Sequence, residues 1–268
     1  MSPSYLADQG TAGTLAAALL AAHMLGDFVL QTGAIARNKV RLPWMALHLA
    51  ILFALVLIAV VPITGGSYRV WLTLLGLTLV HGLIDRGKLA LDSRRRRSTA
   101  EEGGPHRINP ADHQPWHFAL DQGLHLLSLA VAWKILAAAP GVAGALDPAA
   151  ARAWTTAALV TAALAFNTTG GAVIVAGVLG RHRLPAVEAA AGQSGFSRGR
   201  TIGILERLLV LTLILAQQWG SIGLILAAKS IARFKDLESR EFSEYYLIGT
   251  LLSLAIATAS GVAILLLT

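Results

Sequence analysis

The sequence has no cysteine, which excludes a disulfide framework and any thiolate metal site. Charge is also scarce: Asp, Glu, Lys and Arg make up 14% of the 268 residues, whereas 55% are hydrophobic. An ordinary soluble domain carries about 25% charged residues. Long polar stretches are missing too, so no soluble domain of useful size is left between the apolar segments. The composition, with a mean hydropathy of +0.61, therefore predicts a membrane-embedded chain.

Apolar segments recur along the whole length, and crossing a hydrocarbon core of about 30 Å takes roughly 20 helical residues. We predict an all-α, polytopic transmembrane helical bundle with about eight crossings. The predicted crossings are 12–32, 43–63, 69–91, 115–138, 152–180, 201–217, 219–235 and 244–267. The sixth and seventh are short, and a re-entrant hairpin is the alternative for them. We expect one integrated membrane domain made of two units, 1–138 and 139–268.

The distribution of Lys and Arg predicts the orientation in the membrane. With the N-terminus outside, all but three of the 22 basic residues lie on the inner side, the exceptions being Arg69, Lys134 and Arg152. Both termini should then lie outside and the basic loops in the cytoplasm. This topology accounts for the net charge of +7 without nucleic acid. We expect a solvated loop over 93–114, which anchors the topology or, alternatively, binds anionic lipid headgroups.

Three predicted crossings carry a His and an Asp four residues apart. The pairs are His23 with Asp27, His81 with Asp85 and, in reversed order, Asp121 with His125. Such spacing places both members of a pair on one helix face. Because the third pair lies on a helix that runs in the opposite direction, all three Asp residues should lie nearer the cytoplasm. His48 of the second crossing is expected at the same depth.

An ionisable side chain inside a membrane helix costs a few kcal/mol or more, so these residues are candidates for a functional site. Imidazole and carboxylate together suit a divalent metal, zinc first, with manganese or iron as alternatives. The predicted metal-binding residues, called the His/Asp cluster below, are His23, Asp27, His48, His81, Asp85, Asp121 and His125. Its carboxylates, Asp27, Asp85 and Asp121, are the candidate catalytic groups. A proton or ion relay and purely structural pairing between helices are the alternatives.

Further polar residues are expected on the cytoplasmic side. The predicted substrate-binding residues are Gln31, Lys88, Glu206, Lys229, Arg233 and Glu244. Lys229 and Arg233, one turn apart, would clamp a phosphate or carboxylate. In the alternative, Glu206 pairs with one of these two cations and Glu244 with the other. For Lys88 the alternative is a side chain that extends to the membrane surface.

Several of these motifs occur together in one family. The run His23-Met-Leu-Gly-Asp27-Phe-Val-Leu-Gln31 is followed by Lys39, His48, His81 with Asp85 and Lys88, and Phe118-Ala-Leu-Asp121-Gln122 with His125. Jointly they resemble the bacterial membrane family catalogued as domain of unknown function 3307. The runs that begin at Gly203, Lys229 and Glu244 are similar to an extension that many members carry. The resemblance implies a bacterial inner-membrane protein and brings no reaction with it.

From the residues we predict a membrane-embedded, metal-dependent hydrolase or phosphotransferase that acts on a lipid or lipid-linked substrate from the cytoplasmic leaflet. A transporter of a metal ion, proton or small anion is the first alternative, although the outer helix halves lack the polar residues that a pathway requires. A non-catalytic scaffold is the second. The absence of a Gly-x-Ser-x-Gly motif disfavours a serine nucleophile. The expected partners are membrane lipids, an anionic or phosphate-bearing lipid substrate and further copies of the chain.

Overall fold

The residues that the structure describes form helices joined by short turns, without a strand. This computed structural model describes the backbone of residues 3–101, 115–139, 142, 146–180 and 185–268, and the side chains of 10–93, 116–139, 142, 146–180 and 199–268. The helices are α1 (Pro3–Leu25), α2 (Gly33–Asn38), α3 (Leu42–Thr64), α4 (Tyr68–Glu101), α5 (Pro115–Ala137), α6 (Pro148–Ala165), α7 (Gly171–Leu179), α8 (Pro185–Leu215), α9 (Trp219–Ala232) and α10 (Arg240–Leu267). Turns of π-helix follow α1 at Gly26–Leu30 and α6 at Phe166–Gly170. The predicted all-α class is confirmed for this part of the chain.

Four helical stretches are long and apolar enough to cross a membrane. They are Gly10–Leu30, Leu42–Thr64, Pro148–Leu179 and Arg240–Leu267, and α9 is apolar but shorter. These stretches support a membrane protein, whereas the predicted count of about eight crossings is not confirmed. Polar residues such as His81 and Asp85 of α4, and Asp121 and His125 of α5, lower the hydropathy of those two helices. Length and composition alone therefore do not assign α4 and α5 to the membrane.

Two predicted boundaries are wrong. The loop expected over 93–114 begins later, because α4 continues to Glu101, and residues 102–114 lie outside the described part of the chain. The sequence has no Gly or Pro between Ser93 and Glu101, and its Arg and Ala residues favour helix. The sixth predicted helix begins earlier than 201, since α8 starts at Pro185 in an Ala-rich run. Proline is favoured in the first turn of a helix.

The structure divides into two compact units. Unit 1 contains α1 to α5 and α6 as far as Ala162, and unit 2 comprises Ala163–Thr268. In unit 1, four helices share one apolar core. It is formed by Leu15, Leu19 and Ala22 of α1, Val56 and Val60 of α3, Val70 and Leu74 of α4, and Leu129 and Leu136 of α5. The histidines His23, His81 and His125 lie at one end of this core, where they line a cavity together with the core residues Val56 and Leu129.

Unit 2 has a smaller core in which α8 and α10 approach closely. Val210 and Ile214 of α8 pack against Ala257 of α10. A Cβ on Gly261 would lie 2.6 Å from Cγ2 of Ile214, so a side chain at this position would push the helices apart. The absence of a side chain at Gly261 thus sets the helix spacing.

Candidate metal centre

The π turn that follows α1 brings Asp27 into the His/Asp cluster. An insertion of this kind shifts the residues after it around the helix axis, and such turns are frequent at functional sites. The turn begins at Gly26, where a Cβ would clash with the side chain of Leu52 in α3. Glycine at this position therefore lets the end of α1 lie against α3, the helix that carries His48.

Two imidazole nitrogens, from α3 and α4, each lie close to the same two carboxylate oxygens, one on the π turn and one on α4. Nε2 of His48 in α3 and Nε2 of His81 in α4 are 3.2 Å apart. Oδ1 of Asp27 lies 3.5 Å from the nitrogen of His48 and 3.4 Å from that of His81. Oδ2 of Asp85 lies at the same two distances, 3.5 and 3.4 Å. All four side chains are at most 9% exposed, so this group of side chains is buried.

The distances among His48, His81 and Asp85, 3.2 to 3.5 Å, fit three ligands of a tetrahedral metal ion. Donors at roughly 2.0–2.2 Å from a zinc ion are about 3.3–3.6 Å apart on a tetrahedron. Imidazole nitrogen and carboxylate oxygen suit zinc, iron and manganese alike. Two overlapping groups have donor atoms within 4.8 Å of one another, His23, Asp27 and His81 in one and His48, His81 and Asp85 in the other. The residues present therefore fit the divalent metal that the sequence predicts.

Lys39 neutralises part of this centre. Its Nζ lies 2.5 Å from Oδ2 of Asp85 and donates a hydrogen bond of 2.8 Å to Oε1 of Gln31. The short helix α2 sets the path of the chain to Lys39, and its first turn is capped by the Thr32 hydroxyl, which accepts from the Ile35 N–H. Gln31, predicted to bind substrate, thus holds Lys39 in place. Lys39 is 6% exposed.

A hydrogen-bond chain fixes which nitrogen of His23 carries hydrogen. The amide Nε2 of Gln122 donates to Oδ2 of Asp121 over 3.4 Å, which leaves the Gln122 oxygen as an acceptor. Nε2 of His23 donates to that oxygen over 3.3 Å. Nδ1 of a neutral His23 then carries a lone pair, and it lies 3.9 Å from Oδ2 of Asp27. Two acceptors facing each other at this distance favour a cation near them.

His125 is also held in one tautomer. Its Nδ1 donates to the backbone carbonyl of Asp121 over 2.8 Å, so Nε2 of the neutral ring is a lone pair. That nitrogen is buried and has no hydrogen-bond partner among the described residues. The ring lies against those of His23 and His81, with centroids 5.1 and 4.1 Å away. These three imidazoles and Ser128 line a cavity of about 20 Å³, enough for one water molecule.

Asp121 is the one carboxylate of the His/Asp cluster that belongs to neither of the two groups of donor atoms. Its Oδ2 accepts a hydrogen bond of 2.7 Å from Nζ of Lys88. Lys88 is 43% exposed, so this ion pair joins the buried residues to the surface. The predicted role of Lys88 in binding a substrate stays a prediction, and in the structure its partner is the carboxylate of Asp121.

For unit 2 the alternative prediction was that Glu206 pairs with Lys229 or Arg233 and that Glu244 pairs with the other cation. The structure contains one of these two ion pairs. Lys229 lies 2.5 Å from Glu206. The pairing of Arg233 with Glu244 is wrong: Arg233 contacts Asp236, and Glu244 contacts Arg240, each one helical turn away. Arg233 and Glu244 each form an ion pair with a residue close in sequence, and these local pairs take the place of the predicted pair between them.

Sequence reasoning missed the burial of Lys39 and Arg207 and the role of the half-buried Gln122. None of the three was predicted as a site residue. Arg207 lies well inside α8 and is only 2% exposed. A signal was present for Lys39, since it belongs to the motif that carried the family resemblance.

The comparison with known families confirms the resemblance. Residues 15–143 match the model of a family described as protein of unknown function (DUF3307). The match includes every residue of the His/Asp cluster, together with Gln31, Lys39, Lys88 and Gln122. Comparisons with curated proteins and with solved structures found no match. The part of the chain that carries the cluster is therefore similar to the DUF3307 family.

Proposed function

We propose that the protein is a metal-dependent hydrolase of the bacterial inner membrane, with its centre in the His/Asp cluster of unit 1. Its substrate would be an ester or phosphoester of a lipid or lipid-linked compound, reached from the cytoplasmic leaflet. The observation that carries the proposal is the buried group of His48, His81 and Asp85, whose donor atoms lie 3.2 to 3.5 Å apart, the spacing of three ligands on a tetrahedral metal ion.

Charge supports a cation at this group. Asp27 and Asp85 both lie beside the two imidazoles, and among the described Lys and Arg side chains only Lys39 pairs with one of them. Unless a histidine takes up a proton, the second carboxylate has no counter-charge. An uncompensated carboxylate in a buried site costs several kcal/mol. A divalent ion would balance the remaining negative charge and would be bound by the lone pairs of His48 and His81.

The surrounding groups suit the activation of water. A metal ion at the centre would lower the pKa of a water molecule and polarise the substrate oxygen. The cavity beside His81 has room for that water, and Nε2 of His125 is the free acceptor next to it. The water oxygen would bond to the ester carbon or phosphorus while His125 takes its proton. His125 would then return the proton to the departing alcohol oxygen. We therefore propose His125 as the general base, in place of the aspartates that the sequence suggested.

A metal-ion or proton carrier that uses the same cluster is the second candidate. The burial of the centre favours it, because a closed site is typical of a transport intermediate. The packed side chains of Leu15, Leu74 and Leu136 disfavour it, since they fill the bundle beyond the cluster. In a carrier, ion movement would continue without hydrolysis.

We also propose that α4, α5, α8 and the shorter α9 cross the membrane, which together with the four stretches above gives eight crossings. Exposed apolar residues follow one face of α4 at Leu72, Leu75, Leu79 and Leu83, and one face of α5 at Leu120, Leu124, Leu127, Val131 and Ile135. Their spacing of three and four residues makes a continuous stripe along each helix. Such a stripe suits contact with lipid, while the polar residues face the interior.

Metal analysis of the detergent-purified full chain tests the site. We expect one divalent ion per chain in the wild type, and its loss in His81→Ala and in Asp85→Asn. Asp92→Asn is the matched control, because Asp92 lies on α4 two turns beyond Asp85 and outside the His/Asp cluster. Wild-type protein with no more metal than His81→Ala would remove the metal site and the hydrolase with it.

Hydrolysis assays separate the metal from the base. The probes are bis(p-nitrophenyl) phosphate for phosphoesters and p-nitrophenyl butyrate for carboxylic esters. His125→Gln should keep the metal and lose activity on the accepted probe by about 100-fold or more, the usual effect of a general base. Unchanged turnover by this variant would exclude His125 as the base. Metal-loaded protein inactive on both probes that carries zinc into sealed vesicles would be the carrier.

A further inference from the structure

Arg207 of unit 2 is a buried cation without an acidic partner in the described part of the chain. Its side chain is 2% exposed. Its Nε donates to the carbonyl of Asn167 over 2.8 Å and its Nη2 to that of Thr168 over 3.1 Å. Its Nη1 donates to the hydroxyl of Ser253 over 3.2 Å. All three acceptors are neutral, so hydrogen bonds hold the guanidinium without balancing its charge.

The π turn after α6 and a glycine create the place for this side chain. Asn167 and Thr168 belong to that turn, which presents their carbonyls to α8. A Cβ on Gly171 would lie 2.8 Å from Nε of Arg207, so only a residue without a side chain leaves enough room. The backbone of unit 2 is thus shaped around a positive charge. A guanidinium has five N–H donors, and one on each terminal nitrogen is left for a further acceptor.

Arg207 lines a cavity between α8, α9 and α10. Its polar lining consists of Glu206, Arg207, Lys229, Thr250 and Ser253. Two cations and one carboxylate give this lining a net charge of +1. Lys229 and Glu206 form an ion pair whose side chains are 20% and 19% exposed, so the cavity is reached from the surface through them.

We propose that this cavity binds the singly charged phosphate group of an anionic phospholipid. The cavity volume of about 20 Å³, room for one water-sized atom, admits one charged phosphate oxygen and leaves the rest of the lipid outside. Basic pockets between membrane helices are recognised sites for such headgroups. Along α9, exposed residues such as Leu224 and Ile231 provide an apolar surface for the acyl chains. The inference uses unit 2 only and does not depend on the metal centre.

Arg233 provides a matched control for Lys229. Both residues lie at the end of α9 one turn apart, but Arg233 is 48% exposed and bound to Asp236. Lys229→Gln removes a cation from the cavity and leaves the three hydrogen bonds of Arg207 in place. Arg207→Gln would also remove support from the π turn, so Lys229→Gln is the more informative variant. An unchanged unfolding temperature without lipid would show that each variant is folded.

The experiment measures lipid retained by the full chain in native mass spectrometry, with phosphatidylglycerol and phosphatidylcholine as probes. We expect the wild type and Arg233→Gln to retain phosphatidylglycerol in preference, and Lys229→Gln to bind it about tenfold more weakly, as loss of one charged contact predicts. A parallel thermal unfolding series with sodium phosphate shows whether the site also accepts free phosphate. If phosphate stabilises the wild type but not Lys229→Gln, the site binds free phosphate as well as the lipid. Equal retention of both lipids by the wild type without stabilisation by phosphate, or retention by Lys229→Gln equal to wild type, would overturn the proposal.

Discussion

Lys39 and Lys88 each pair with a buried aspartate, but only Lys39 is itself buried. The side chain of Lys39 is 8% exposed and that of Lys88 is 43% exposed. Removing one partner of a buried ion pair costs roughly 3–5 kcal/mol, whereas a pair with an exposed member is worth about 1 kcal/mol or less. Lys39→Met should therefore lower the free energy of unfolding by about 3–5 kcal/mol, and Lys88→Met by about 1 kcal/mol.

Chemical unfolding of the two variants in the same detergent measures this difference. Met keeps much of the length of the Lys side chain, so the comparison isolates the charge. Gln122 still donates to Asp121 when Lys88 is replaced, which further limits the cost of that change. Equal losses for the two variants would show that Asp85 does not depend on Lys39 for neutralisation.

For individual residues, the sequence predicted which side chains form the His/Asp cluster but not which of them lie at its centre. The i, i+4 spacing placed His23, His81 and their carboxylates on inward faces, and the structure brings them together. The central place of Asp27 and the outer place of Asp121 depend on the π turn and on Lys88. Neither effect has a periodic signal, because both arise from contacts between separate helices.

Two glycines beside Arg207 differ in the space that surrounds them. A Cβ on Gly171 in α7 would lie 2.8 Å from Nε and 3.2 Å from Cδ of Arg207, whereas one on Gly203 in α8 would lie 3.5 Å from Nη1, an ordinary contact. Gly171→Ala should destabilise the protein by about 1–3 kcal/mol through overpacking. Gly203→Ala should be neutral or stabilising by up to about 1 kcal/mol, because Ala favours helix over Gly.

Thermal unfolding of the pair tests how firmly Arg207 is held by the turn at Phe166–Gly170. A lower unfolding temperature for Gly171→Ala alone is the expected result. If Gly171→Ala unfolds at the wild-type temperature, the guanidinium can move without cost and is not fixed by the carbonyls of Asn167 and Thr168.

Helix positions were largely predictable and their interruptions were not. Apolar runs and prolines marked α3 and α5 to within one residue of the observed bounds. The two π turns could not be read from the pattern, because they continue the helix and change only the rotation of the next helical residues. The extension of α4 to Glu101 was missed because charge indicates solvent and says little about helix.

The chain without cysteine is a natural background for determining topology. Single substitutions Gly66→Cys, Val40→Cys and Gln218→Cys place one thiol at three exposed positions. With the N-terminus outside, a membrane-impermeant maleimide should label positions 66 and 218 in intact cells, and position 40 only after permeabilisation. The unsubstituted chain controls for background labelling.

The position 218 result decides the number of crossings. Labelling from outside means that α8 and α9 both cross, whereas protection from both sides means that they form a re-entrant hairpin. Labelling of position 40 in intact cells, with position 66 protected, would reverse the orientation derived from the basic residues. The number of crossings was less predictable than the helices, because short apolar segments suit both topologies.

The ion pairs of unit 1 also bear on how the helices enter the bilayer. In the proposed topology α4 and α5 are membrane helices, and an aspartate in such a helix opposes insertion, by about 2.5–3.5 kcal/mol at the helix centre. Asp85 of α4 pairs with Lys39, and Asp121 of α5 pairs with Lys88, so each acid has its base on an earlier segment of the chain. Synthesis from the N-terminus thus provides each carboxylate with its counter-charge before its own helix must leave water, which makes the order of the segments part of the assembly route.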